Sequence, residues 1–223
     1  MRVLSLTHGP SVGPGVFGDT VRDAGHELVG WSVPQAERPP EGHDAVLVFG
    51  GAMHPDQEER HRWLARELRF LEDALERGTP IFGVCLGAQL LARAAGARVL
   101  PASEAEVGWC EVVLTPAGAA DPVASSLPER FDAFQWHSYT HELPAGAVEL
   151  ARSPVCTQAF RLDRAIGVQF HPEVRSEHVE RWLGEDPDDV TDVAFLREQT
   201  AVRMDAWNEL GRALCAAFLA DVG

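Results

Sequence analysis

Lysine is absent from this sequence, since all 19 basic residues among its 223 are arginines. Schiff-base and pyridoxal-phosphate chemistry need a lysine amine. A phosphate-binding P-loop needs a lysine beside the phosphates. The sequence therefore excludes these enzyme classes, including an enzyme that activates its substrate with ATP through a P-loop.

Cysteines and long apolar runs are also scarce. The four cysteines form no CxxC pair, which in a chain of this size favours reduced thiols over a disulfide scaffold. The N-terminal segment MRVLSLTHGP has too short an apolar run for a signal peptide, and no stretch approaches the length of a membrane span. We therefore expect a cytoplasmic protein without a membrane partner.

The charge is strongly acidic, with 34 acidic against 19 basic residues and a formal net charge of -15. Such a surface disfavours nucleic acid as a partner. With 45% hydrophobic residues, the chain is long enough for one well-cored domain and too short for two large ones. We expect a single domain over 1–223, with a helical C-terminal extension over about 184–223.

The first hundred residues alternate between strand and helix patterns. Helices are predicted over 56–77, where leucines recur at helical spacing before Gly78, and over 86–96. Strand-like apolar runs are RVLSLT (2–7), HELVGWSV (26–33), DAVLVFGG (44–51) and TPIFGV (79–84). This alternation predicts an α/β fold with a mostly parallel central sheet and helices on both faces.

Beyond residue 97 the strands become shorter. They are predicted at VGWCEVVLT (107–115), DAFQWH (132–137), VELARS (148–153), TQAFRL (157–162) and AIGVQF (165–170). We expect antiparallel hairpins added to the sheet edge, followed by a return to the core. From His171 onward the pattern is helical, interrupted by an acidic loop at 184–189.

One cysteine has a distinctive local setting. Cys85 lies in GVCLGAQ (83–89), between an apolar strand and a predicted helix. Glycines two residues away on each side relieve the crowding of a sharp strand-to-helix turn, and a helix N-terminus favours the reactive thiolate. The alternative is a buried apolar cysteine, which we accept for Cys110, Cys156 and Cys215 because they lack such flanks. Cys85 is therefore the candidate nucleophile of a nucleophile elbow.

A cysteine nucleophile needs a base, and the base needs an orienting group. The run GVQFHPE (167–173) supplies both, with His171 just past a predicted strand. Residues two apart in an extended chain face the same side, so Glu173 can reach the His171 imidazole. The alternative is an ordinary strand-to-helix corner in which Glu173 favours a helix N-terminus.

Together the two motifs resemble those of class I glutamine amidotransferases, over about residues 44–180. The resemblance implies a flavodoxin-like α/β fold and a Cys-His-Glu triad. Cys85 would be the nucleophile, His171 the general base and acid, and Glu173 the orienting carboxylate. It also implies hydrolysis of a γ-glutamyl amide through a thioester, with no cofactor.

Further positions match the family's substrate-binding residues. The loop FGGAMH (49–54) falls where the family places its oxyanion loop, so the backbone N–H groups of Gly51 and Leu86 would bind the oxyanion. Ala52 departs from the family's commoner Gly-Pro pattern. Gln89 matches a substrate-contacting glutamine, with an exposed polar helix residue as the alternative.

The segment QWHSY (135–139) matches the family segment that holds the substrate's α-amino and α-carboxyl groups. Ser138 and Tyr139 would provide these contacts. No metal site is expected here: His137 and His141 are four apart, like zinc ligands on a helix, but the strand pattern argues against a helix.

Three functions are compatible with the resemblance. The first is a stand-alone hydrolase of glutamine or a γ-glutamyl conjugate, whose partner is a small-molecule substrate. The second is a glutaminase subunit that delivers ammonia to a separate synthase. The third, of another class, is a catalytically idle homologue that only binds a partner, which is disfavoured because no triad member is missing.

Overall fold

The computed structural model describes residues 1–223, which form nine strands and six α-helices. The strands are β1 Arg2–Thr7, β2 Glu27–Ser32, β3 Ala45–Val48, β4 Ile81–Val84, β5 Val99–Leu114, β6 Arg130–His141, β7 Val148–Arg152, β8 Thr157–Leu162 and β9 Ala165–Val168. The helices are α1 Gly15–Asp23, α2 Trp63–Glu76, α3 Leu86–Ala94, α4 Pro116–Ala120, α5 Ser176–Glu185 and α6 Val193–Val222. None of these helices combines the length and the apolar composition that a bilayer crossing needs.

All nine strands join one sheet, in the order β2-β1-β3-β4-β9-β8-β7-β5-β6. In this spatial order, the neighbouring strands β2, β1, β3, β4 and β9 pair in parallel. The neighbouring strands β9, β8, β7, β5 and β6 pair in antiparallel fashion. The prediction of a parallel centre, antiparallel edge hairpins and a return to the core is therefore confirmed.

Helices cover both faces of the parallel part, so every residue of β3, β4 and β9 is buried. On one face, α1 and α6 pack over the sheet through Phe17, Phe82 and Phe218, whose rings meet edge to face at 5.3 and 5.4 Å. On the other face, α2 and α3 contribute leucines to a second buried cluster.

Two element boundaries differ from the sequence prediction. The helix expected over 56–77 begins only at Trp63, because residues 56–62 are almost entirely polar and form turns. Strands β5 and β6 run longer than predicted, because each pairs with the other along nearly its whole length, with a register shift between Pro101 and Glu106. Polar side chains along β5 interrupt the apolar pattern of a strand, so the sequence did not predict the full length of this pairing.

Candidate active site

Cys85 occupies the sharp turn between β4 and α3. It is the N-cap residue of α3, with φ 52° and ψ -109°, a left-handed conformation that is costly for a residue with a side chain. A Cβ on Gly83 would lie 2.7 Å from the carbonyl oxygen of Gly87, and one on Gly87 would lie 2.2 Å from that of Val48. The two glycines are therefore needed for close backbone packing around the turn.

His171 and Glu173 lie beside this turn, just beyond β9. Nδ1 of His171 lies 3.0 Å from Oε1 of Glu173, and both side chains are only 3% exposed. The chain forms a bend and a turn here, so the contact does not arise from the extended backbone that the sequence argument assumed. The second carboxylate oxygen of Glu173 is buried without a partner, which leaves His171 as the group that balances its charge.

The ionisation of His171 follows from these neighbours. Burial alone would lower its pKa, but the charges of Glu173 and Cys85, together with hydrogen bonds to both side chains, raise the pKa to about 10. Because Nδ1 faces Glu173, Nε2 is the ring nitrogen left for the thiol. The arrangement therefore favours the charged imidazolium of His171 beside the Cys85 sulfur near neutral pH.

Helix α6 braces the turn that carries His171. The indole Nε1–H of Trp207 donates to the His171 carbonyl at 2.9 Å, and the Asn208 amide donates to the Val174 carbonyl at 3.0 Å. A Cβ on Gly211 would lie 2.0 Å from the Pro172 carbonyl oxygen. No sequence motif pointed to these residues, because their contacts are formed only when α6 packs against the sheet.

A glycine pair closes the other side of the site. A Cβ on Gly50 would lie 3.0 Å from Cε1 of His171, and one on Gly51 would lie 2.9 Å from the Leu86 side chain. Gly50 faces the His171 ring directly, although the sequence motif pointed only to Gly51. Leu86 begins α3, and the first N–H groups of a helix have no intrahelical partner.

A second buried histidine holds this loop. His8 contacts the Gly50 carbonyl oxygen through Nδ1 at 2.7 Å and the Glu67 carboxylate through Nε2 at 2.9 Å. Burial would lower the pKa of His8, but the charge and hydrogen bond of Glu67 outweigh it and raise the pKa. No sequence motif pointed to the His8–Glu67 pair, because the two residues lie 59 positions apart in the chain.

The remaining predicted positions lie around one pocket. Gln89 is 3% exposed, so it is not the exposed helix residue of the alternative, and its amide donates to the Tyr139 carbonyl at 2.8 Å. Ser138 is exposed at the pocket edge. The Tyr139 ring stacks on His54 with 4.2 Å between centroids, and its hydroxyl lies 3.4 Å from an oxygen of Asp56.

Two pockets meet at Cys85, and both are also bordered by Gly51, Ala52, Trp136 and Asp186. The larger one, of about 410 Å³, continues toward Gln89, Ser138 and Tyr139. The smaller one, of about 60 Å³, is bordered by His171, Trp182 and Glu185. The thiol therefore stands between two chambers, and His171 borders only the smaller one.

The comparison with protein families gives one match, the model described as glutamine amidotransferase class-I, over residues 20–183. Helix α6 lies outside the matched range. A solved glutamine amidotransferase from Thermotoga maritima superimposes with a TM-score of 0.88 at 29% identity, over 98% of each chain.

Two curated relatives match part of the chain. The gamma-glutamyl-L-1-hydroxyisopropylamide hydrolase of Pseudomonas sp is 36% identical over 143 residues, which are 59% of this chain and 48% of that protein. A GMP synthase [glutamine-hydrolyzing] of Thermomicrobium roseum is 43% identical over 134 residues, 58% of this chain and 23% of that protein. The matched region thus spans about half of the first relative and less than a quarter of the second.

Proposed function

The chain belongs to the class I glutamine amidotransferase family, and from this premise we propose that it hydrolyses a γ-glutamyl amide, with Cys85 as nucleophile and His171 and Glu173 as its partners. One observation carries the proposal. The thiol sits at a helix N-terminus, beside a histidine that a buried carboxylate holds, at the junction of two pockets.

The proposed reaction begins with attack of the Cys85 thiolate on the amide carbonyl carbon. A C–S bond forms, and the His171 imidazolium gives its proton to the leaving nitrogen as the C–N bond breaks. Water then adds to the thioester while His171 takes its proton. The C–S bond breaks, glutamate leaves and the thiolate is restored.

The negative charge that develops on the substrate's carbonyl oxygen needs hydrogen-bond donors that are already in position. The backbone N–H groups of Gly51 and Leu86 are our candidates, since both residues border the larger pocket beside Cys85. Each such donor typically contributes about 3 kcal/mol to the transition state. The His8–Gly50 hydrogen bond would hold the loop that presents the first donor.

The positions of the two pockets support an assignment of the two ends of the substrate. The proton for the leaving amine comes from His171, which borders the smaller pocket. The amine would therefore leave through that pocket, and the glutamyl end would occupy the larger one near Gln89 and Ser138.

The walls of the smaller pocket bear on the choice of amine. Trp136 and Trp182 supply apolar area, while Glu185 and Asp186 supply negative charge. A γ-glutamyl dipeptide would bring a carboxylate toward these acidic residues, which costs Coulomb energy. A small uncharged alkylamide avoids that repulsion, and the Pseudomonas relative is named for an amide of this kind. We infer that the preferred substrate is the γ-glutamyl amide of a small alkylamine.

The likeness to GMP synthase supports a second candidate function. In it, the chain is a glutaminase subunit that passes ammonia to a separate synthase. Such a subunit benefits from slow glutamine hydrolysis until its partner orders the site.

Turnover of the purified protein on three substrate types separates these functions. The panel contains glutamine, γ-glutamyl amides of small alkylamines and γ-glutamyl dipeptides, all without a partner protein. We expect the highest kcat/KM on the alkylamides, and Asp186→Asn should narrow the gap between alkylamides and dipeptides. Cys85→Ala is the matched inactive control.

Each other result has a definite meaning. Negligible turnover on every conjugate, with glutamine hydrolysis stimulated by a co-purified synthase, would overturn the stand-alone hydrolase in favour of the subunit. Equal activity in Cys85→Ala and wild type would overturn the triad itself. An unchanged preference in Asp186→Asn would overturn the role of the acidic wall alone.

A further inference from the structure

A second group of cysteine, histidine and glutamate side chains lies at the antiparallel end of the sheet. Glu106 on β5, His137 on β6 and Cys156 in the turn between β7 and β8 bring their ligand atoms within 4.8 Å of one another. Glu106 and His137 are direct cross-strand partners, at the point where the register resumes after the shift. None of the three takes part in the proposed reaction.

The spacing of these atoms matches a tetrahedral metal site. His137 Nε2 lies 3.2 Å and Cys156 Sγ 3.6 Å from the same Glu106 oxygen, Oε2. Ordinary zinc–ligand bond lengths at tetrahedral angles place nitrogen and oxygen about 3.4 Å apart, and sulfur and oxygen about 3.6 Å apart. The two distances from Glu106 Oε2 therefore fit one bound ion, and the three ligand atoms all lie within 4.8 Å of one another.

The hydrogen bonds of His137 prepare it to bind an ion. Its Nδ1 lies 3.0 Å from the Tyr139 carbonyl oxygen, which can only accept, so the ring proton belongs on Nδ1. Nε2 then carries a lone pair, is buried and has no hydrogen-bond partner. This is how metal-binding histidines are usually oriented, with the other ring N–H on a backbone carbonyl.

A lone pair on Nε2 faces the negative carboxylate of Glu106 across 3.2 Å. Two acceptors at that distance repel unless a positive species lies between them. That species is either a second ring proton, which makes a His137–Glu106 ion pair, or a cation. Without a metal, the Cys156 thiol donates to Glu106 Oε2 at 3.6 Å. We favour the cation, because thiolate, imidazole and carboxylate together form a typical zinc ligand set.

The geometry points to a Zn²⁺ site formed by Glu106, His137 and Cys156, with a fourth position for water. On binding, the Cys156 thiol loses its proton to solvent, so the thiolate and carboxylate together neutralise the ion. The Gln158 amide, which donates to Glu106 Oε2 at 2.7 Å, orients the carboxylate.

Such a site would tie three segments of the antiparallel sheet together beside the larger pocket. The Tyr139 carbonyl accepts from both His137 and Gln89, and His137 itself borders the larger pocket. The role assigned to the ion is structural. The four-residue spacing of His137 and His141 has no part in it, since both residues lie on strand β6.

Titration of the full-length, chelator-treated protein with Co²⁺ tests the site. Tetrahedral cobalt with a thiolate ligand gives a near-ultraviolet charge-transfer band and visible d–d bands, and added Zn²⁺ should remove both. We expect Cys156→Ser to lose the charge-transfer band, and His137→Gln to weaken binding by more than about 100-fold, since even second-shell partners contribute 10- to 100-fold. Cys110→Ser, Cys85→Ala and His141→Gln are the matched controls that should keep the signal.

Several results would overturn the site. They are the absence of a thiolate–cobalt band in the wild type, its survival in Cys156→Ser, or its loss in Cys85→Ala. If the Cys156 variant does not fold, alkylation of the wild type provides the test. Zn²⁺ should then slow the labelling of Cys156 and not of Cys110, and equal labelling rates at Cys156 with and without Zn²⁺ leave only the ion pair.

Discussion

Two sets of the same three residue types lie in this molecule, buried except for the half-buried Cys156, and they differ in how the histidine is oriented. In the first set, His171 directs Nδ1 toward the Glu173 carboxylate, which leaves Nε2 for Cys85. In the second, His137 directs Nδ1 toward a backbone carbonyl, which leaves Nε2 for a carboxylate.

The two cysteines differ in their backbone setting as well. Cys85 is the N-cap of α3, where the helix macrodipole favours a thiolate. Cys156 has no helix behind it, and burial together with the Glu106 charge raises its pKa to about 12. Residue types alone therefore do not separate the proposed nucleophile from the proposed metal ligand; the proposals differ because the backbone geometry and the partner of the second ring nitrogen differ.

The largest effect that would test this distinction is expected at the nucleophile. Cys85→Ser should lower kcat by about 10⁴-fold or more, because the serine hydroxyl is far less ionised than a thiol and His171 is set up for a thiolate. Glutamine-like affinity labels should attach only to Cys85, as mass spectrometry can establish. Cys110→Ser is the control and should retain activity; label on Cys110 or Cys156 would break the assignment.

The next effect concerns the carboxylate beside His171. Glu173→Gln should lower kcat by about 10²- to 10⁴-fold while KM changes little, because an amide can hold the ring but cannot stabilise the imidazolium. The pKa of His171 should also fall from about 10, which NMR titration of the ring would measure. Wild-type turnover in this variant would mean that Glu173 has no part in catalysis and only favours the helix N-terminus at the strand-to-helix corner.

The same ion pair predicts a pH dependence of stability. The pKa of His171 is raised to about 10 in the folded protein and is near 6.5 in an unfolded chain. Its contribution to the free energy of unfolding is therefore complete below about pH 6.5 and is lost as the pH rises toward 10. Denaturant titrations across this range should show the loss in the wild type and a weaker one in Glu173→Gln.

A smaller effect is expected from the loop that faces His171. Gly50→Ala places a methyl group 3.0 Å from Cε1 of His171, so the ring must shift from its position, and kcat should fall by about tenfold or more. Gly9→Ala is the matched control, because a Cβ there meets nothing within 4 Å. Equal kcat values in the two variants would show that the loop adjusts without moving the ring.

The smallest effect should come from α6. Trp207→Phe removes the hydrogen bond to the His171 carbonyl and leaves a buried acceptor unpaired, which costs about 1–3 kcal/mol of stability. The His171 turn would loosen, so we expect a modest fall in kcat. Val202→Ala, an exposed change on the same helix, should alter neither quantity. If Trp207→Phe has the same stability and the same kcat as Val202→Ala, α6 does not support the site.

The parallel half of the sheet could be predicted closely from sequence, because its strands are continuous apolar runs that end in glycine-rich turns. β1 in the parallel half and β8 in the antiparallel half match their predicted bounds, and α2 and β5 do not. The start of α2 depends on where the chain leaves a polar turn. The length of β5 depends on pairing with β6, and a long-range pairing leaves little trace in either strand's own pattern.

The sequence by itself determined the parts of the candidate site that are local. The elbow at Cys85 follows from glycines two residues away. The nearness of His171 and Glu173 follows from their separation of two residues, although a turn, and not an extended backbone, brings their side chains together. Only the tertiary structure decided the contact of Gly50 with His171, the His8–Glu67 pair, the support from Trp207, and the meeting of Glu106, His137 and Cys156. The physical reason is that the crowding in a turn depends on residues next to one another in the chain. Hydrogen-bond partners across the sheet depend on packing, which brings side chains from distant segments together.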